Sequence, residues 1–206
     1  MTLSNYDELK TAIVKQSHRE DVLVLVDQFI RLAEADFVAN PVETLKLASL
    51  VKKSSLSVSA QEVALPSDFL SLIGAKIISG SQIYRLEYKA PEQMDRRGGT
   101  GVPSQFTITN QIEFNVAPDG TYTLELIYHS TPTPLDSTNT TNEVLTKYPS
   151  IYLYGALFHL FKWADDEENA AKYERLFYQA IQGANRAEKE GRYGAVPAMT
   201  PDNFVV

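Results

Sequence analysis

The chain has no cysteine. That absence excludes disulfides, cysteine–zinc sites and thiol catalysis together. Histidine is scarce too: His18, His129 and His159 are the only three, and no two stand at the i, i+4 spacing of a helical metal pair. No serine lies in a G-x-S-x-G elbow. The most apolar run, residues 151–161, falls far short of the ~20 residues a bilayer span needs. Residues 1–8 have neither the basic nor the apolar region of a signal peptide, so the sequence predicts a protein made in a cytoplasm, with no membrane partner. A basic excess is missing as well. Lys and Arg total 19 against 26 Asp and Glu, a net charge of −7, which lacks the footprint of a sequence-reading nucleic-acid binder.

What is present is ordinary globular composition, 44% hydrophobic and 22% charged over 206 residues. A chain of this size buries roughly 70% of its unfolded surface and needs no metal or disulfide to fold. The first segment reads as a helix, with Ser4 as its N-cap, Asp7 near the free N–H groups, and Leu9, Ala12 and Ile13 at helical spacing. A second helix carries Leu25, Val26, Phe29, Ile30, Ala33 and Phe37 on one stripe and ends at Asn40-Pro41. The period then falls to about two. Strands are expected at 44–48, 56–59, 63–66, 75–79 and 83–88, with one helical turn at 67–70 and a short helix at 91–96. Residues 106–108, 112–116 and 122–128 read as an antiparallel meander. Residues 131–142, rich in Pro, Thr, Ser and Asn, read as a linker.

Helix returns at 151–161, apolar nearly all round and so buried on several sides. A long helix over 166–190 follows, with a narrow seam of Tyr173, Phe177, Ala180, Ala184 and Ala187 and a stop at Gly191. The expected fold is α+β. N- and C-terminal helices form a bundle, an antiparallel β block is inserted, and an extended C-terminal tail follows. The expected divisions are 1–41 and 131–191 for linker and bundle, 42–130 for the β-rich subdomain, and 192–206 for an arm.

The chemistry is sparse. The run Arg96-Arg97-Gly98-Gly99-Thr100-Gly101 lacks the G-x-x-x-x-G-K-[ST] pattern, so it reads as a mobile, locally basic loop able to touch a partner or a DNA phosphate. Asp165-Asp166-Glu167-Glu168 reads as an acidic helix start. The competing reading is a carboxylate-dependent cell-wall hydrolase, which needs two carboxylates held across a cleft. A carbohydrate- or protein-binding module using the β block is the third. No catalytic, cofactor or metal residue is assigned. The candidate partner contacts are Arg96 and Arg97 in the loop, and Tyr193, Val196, Phe204, Val205 and Val206 in the tail, whose apolar residues suit an arm that orders on assembly.

Several segments, in order, carry a resemblance. They are Ser4-Asn5-Tyr6-Asp7-Glu8-Leu9, Phe29-Ile30-Arg31-Leu32-Ala33-Glu34-Ala35, Ala64-Leu65-Pro66-Ser67-Asp68-Phe69-Leu70 and Pro91-Glu92-Gln93-Met94-Asp95. Then come the stretch from Ala117-Pro118-Asp119-Gly120 to Leu126, Tyr148-Pro149-Ser150-Ile151-Tyr152 to Leu157, and Tyr173-Glu174. Together they resemble the head-to-tail adaptor (connector) proteins of tailed bacteriophages, over about residues 3–193. One departure is Asn110-Gln111, where such proteins often have a glycine turn. The resemblance implies a non-enzymatic structural virion protein of the neck and tail region, assembled in the host cytoplasm. It implies a homo-oligomeric ring, commonly a dodecamer, that binds the portal protein and the tail (nozzle) proteins. DNA passes through such a ring during ejection without sequence-specific binding. Twelve acidic copies would surround the DNA with roughly −84 of charge, which discourages phosphate from sticking.

Overall fold

The computed structural model describes residues 3–39, 42–96 and 98–192. The chain forms two compact units, one of Met1–Ala48 with Pro134–Val206 and one of Ser49–Thr133.

The first unit is helical, with α1 (Tyr6–Ser17), α2 (Val26–Ala39), α3 (Glu143–Lys147), α4 (Pro149–Trp163) and α5 (Glu167–Arg192). The cap of α1 is Asn5 rather than Ser4. Its side chain accepts the Glu8 amide at 2.9 Å, while Glu8 reaches back to the Ser4 amide and hydroxyl. This is a reciprocal capping arrangement displaced by one residue. Helix α4 is the centre of the unit. Ile151, Tyr152, Gly155, Ala156, Leu157, Phe158, Leu160 and Phe161 are all buried, as an all-round apolar helix requires. It packs on α2 and α5. At Gly155 the approach is so close that a Cβ would lie 2.8 Å from Ala33 Cβ and 2.9 Å from Phe177 Cε2.

Helix α5 runs past Gly191 to Arg192 instead of stopping there. Its buried residues are Ala170, Tyr173, Phe177, Ile181 and Ala184, while Ala180 is half-buried and Ala187 exposed. A straight helix drifts about 20° per heptad against a 4, 3, 4, 3 seam, so the buried line keeps Ala184, takes in Ile181 and moves off Ala180 and Ala187. Residues 44–48 do not form a strand. They lie extended along the helices, with the Leu45 amide on the Phe37 carbonyl and the Lys46 and Ala48 amides on Asn185 and Glu188 of α5. Leu45 and Leu47 are buried, so their alternation is satisfied by packing on helices rather than in a sheet.

The second unit holds β1 (Val51–Val58), β2 (Glu62–Ala64), β3 (Phe69–Ser79), β4 (Gln82–Arg85), β5 (Glu87–Tyr88), β6 (Gln105–Ile108), β7 (Gln111–Phe114) and β8 (Tyr122–Ser130). They form two four-stranded sheets, ordered β1-β8-β3-β4 and β2-β7-β6-β5. Inward residues of both sheets make one core, including Val58, Ile77, Phe106, Ile112, Phe114, Leu124 and Leu126. The expected meander is therefore only half present. β6 and β7 form a hairpin, but β8 leaves for the other sheet, between β1 and β3. Alternation states which residues face inward and is silent about which strand lies alongside. β5 pairs with β6 in parallel over two residues, and an isolated Thr100–Ala117 bridge is parallel too, whereas the other strand pairs described are antiparallel. The helical turn expected at 67–70 is a turn followed by the start of β3, and the helix at 91–96 is a short 3-10 turn at Pro91–Gln93.

Candidate functional site

Among the predicted contacts, Arg96 and its loop are described. Arg96 follows the 3-10 turn and donates from Nη2 to Glu113 Oε2 of β7 at 2.7 Å. Thr109 Oγ1 donates to the other Glu113 oxygen at 2.9 Å. The guanidinium stays exposed but has a carboxylate of its own. Further along, the Gly101 amide bonds the Ala117 carbonyl at 2.9 Å, and Gly99 takes the positive φ of 93° that only glycine adopts without strain. Arg97, Tyr193, Val196, Phe204, Val205 and Val206 lie outside the described residues.

The acidic run 165–168 splits by role. Asp166 accepts the Asn169 amide at 3.1 Å and its side-chain amide at 2.8 Å, and these bonds hold its carboxyl below the usual carboxylate range. It caps α5. Asp165, Glu167 and Glu168 are exposed. Among the described residues no three of His, Cys, Asp and Glu cluster so as to hold a metal ion. His18 closes α1 in the left-handed region. His159 of α4 is half-buried, with Nε2 2.9 Å from Asp36 Oδ2; desolvation lowers its pKa and Asp36 offsets part of that.

Among the described residues, two concave surfaces bear on the site. In the helical unit a groove of about 920 Å³ lies between the end of α1 and the α4–α5 turn, with Lys15, Phe161, Lys172 and Tyr173 in its lining. Across it Gln16 Nε2 donates to the Tyr173 hydroxyl at 3.3 Å. In the strand unit the outward face of the β1-β8-β3-β4 sheet carries a charged cluster. Glu125 of β8 receives Lys53 of β1 at 2.5 Å and Lys76 of β3 at 2.8 Å, and its carboxyl is held low by both. Beside it a dent of about 360 Å³ opens at Gly74, between Lys76, Arg85 and Ile127. The sequence reading did not find this face. Its residues are scattered from 53 to 127 and meet only through strand register; the one local signal was a glutamate among the alternating residues of β8.

The family model described as SU10 adaptor protein matches residues 4–201. The chain belongs to the SU10 adaptor protein family. It is thus a structural adaptor of bacteriophage and a component of the virion neck. The family match takes in Arg96, Arg97, Tyr193 and Val196 and stops before residues 204–206. No curated protein matches the chain. Among the described residues no helix is long and apolar enough to cross a membrane.

Proposed function

We propose that this SU10-family adaptor forms a ring of twelve subunits that joins the portal protein to the tail proteins and lines part of the DNA channel. The observation that carries the reading is the family match across residues 4–201, which spans both structural units. A closed ring repeats one heterologous interface by rotation. The helical unit supplies a stiff wall, because its core is continuous through α2, α4 and α5. The net charge of −7 suits a channel that must let DNA slide, since lysine and arginine are what hold a phosphate backbone. The tail from residue 192 acts as an arm on the portal, with Tyr193, Val196, Phe204, Val205 and Val206 as contacts, and Arg96 and Arg97 meet a second partner. Assembly takes place in the host cytoplasm.

Deleting residues 194–206 tests the arm. The truncated protein should melt within a few degrees of the full chain and load poorly onto portal rings in light scattering. Full loading of the truncated protein would remove the arm from the mechanism.

A further inference from the structure

The outward face of the β1-β8-β3-β4 sheet holds more positive charge than it neutralises. Lys53 and Lys76 share one carboxylate, Glu125, whose side chain is only 8% exposed. Arg85, opposite Lys76 in the register of β3 and β4, has no carboxylate among the described residues. The other described cations of this unit each have a partner: Lys52 on Asp68, Lys89 on Glu87, Arg96 on Glu113. The unsatisfied charge is therefore concentrated on one face. The same face exposes large apolar side chains, Ile83 at 62% and Ile127 at 36%. Both alternate with residues that pack into the core, Tyr84 on one strand and Leu126 and Tyr128 on the other.

A surface of opposite character lies in the helical unit. At the α4–α5 turn Asp165, Glu167 and Glu168 are exposed and have no cationic partner among the described residues, whereas Asp166 is occupied in the cap. Trp163, two residues before Asp165, is 52% exposed. A cationic, isoleucine-bearing face and an acidic, tryptophan-bearing turn on one chain are complementary in both charge and apolar content. Exposed apolar groups supply the burial energy at such a contact, and the charges set partner choice and register.

We propose that the open sheet face of one copy binds the α4–α5 turn of a second copy. This rests on the ring assembly proposed above and names its interface. Two different patches meeting head to tail form a heterologous contact, the kind that closes into a ring. The face suits protein better than nucleic acid. It presents isoleucines where a strand-binding groove presents stacking aromatics, and two of its three cations are already engaged by Glu125.

Charge exchange tests this in the full-length protein, on portal rings and alone at raised concentration. The double variant Lys53→Glu, Arg85→Glu makes the face net acidic, because Lys76 is then its one cation beside Glu125 and two new glutamates. The triple variant Asp165→Asn, Glu167→Lys, Glu168→Lys makes the turn net basic, since Asp166 is then its one carboxylate. Each alone should weaken self-association at least about tenfold in sedimentation velocity, because like charges then meet. An equimolar mixture should recover assembly, since each acidic face then meets a basic turn; that recovery cannot come from misfolded protein. Raising ionic strength should weaken the wild-type contact. If wild type forms rings and either exchange leaves them intact, or if the mixture fails to recover, this interface is wrong while the ring stands. If wild type forms no oligomer with or without portal, the ring reading falls and this inference falls with it. Binding of a labelled single-stranded oligonucleotide that the Lys53→Glu, Arg85→Glu variant abolishes would overturn the assignment in favour of nucleic acid.

Discussion

At the scale of single residues, the helical unit contains a polar network that an apolar pattern does not announce. Tyr152 is fully buried in α4, with its hydroxyl donating to Glu34 at 2.9 Å and accepting from Asn142 at 2.6 Å. Glu34 Oε1 also takes the Leu135 amide at 2.8 Å. Burial raises the Glu34 carboxyl above the ordinary carboxylate range, against the pull of these two hydrogen bonds and the Arg31 charge. The folded state therefore binds this proton more tightly than the unfolded chain does. The stability it contributes is present below the unfolded carboxylate pKa and is lost as pH rises through the folded one. Glu34→Gln keeps an acceptor for both donors and removes the buried charge. It should melt above wild type at pH 7, with the gap closing as pH falls towards about 4; melting temperature against pH checks this, and a gap independent of pH would contradict it. In the strand unit Thr107 is fully buried on β6, and its hydroxyl has no hydrogen-bond partner among the described residues. Thr107→Val removes an unsatisfied group and should stabilise by about 1 kcal/mol in urea unfolding.

At the scale of elements, the contact that most constrains the helical unit is the crossing of α4 with α2 and α5 at Gly155. The Ala33 and Phe177 atoms that a Cβ would meet are themselves buried, so neither has room to retreat. Gly155→Ala gains helix propensity, about 1 kcal/mol, but overpacks the crossing, which costs about 1–3 kcal/mol. A net loss of stability is expected in denaturant melts, and a more stable variant would mean the helices separate easily. The sequence showed the helices well. The stripe from Val26 to Phe37 and the apolar run 151–161 are long and periodic, and their burial follows the pattern. Strands were legible one by one but not as a sheet. Nothing local distinguishes Ile112-Glu113-Phe114 beside Val63 from the same residues beside Leu124, so the assignment of β7 and β8 to different sheets was out of reach. The Glu125 cluster was hidden for the same reason, because Lys53, Lys76 and Glu125 become neighbours only once β1, β8 and β3 pair. The loop cation Arg96 was legible as a residue but not as one already bonded to Glu113.

At the scale of the whole molecule, the excess of acid is uneven. The helical unit carries most of the net negative charge and the strand unit is close to neutral. In the proposed ring that division would place the acid that repels DNA and the cations that join subunits in different parts of the chain. An acidic, cysteine-free sequence is coherent as the building block of a structural adaptor. The proposed function stands on closure of this adaptor into a ring on the portal. Electron microscopy of the purified protein mixed with its portal reads that closure. A continuous second ring of adaptor, twelve copies stacked on each portal ring, is the expected result. Bare portal rings beside monomeric adaptor, at concentrations well above those of assembly, would contradict it.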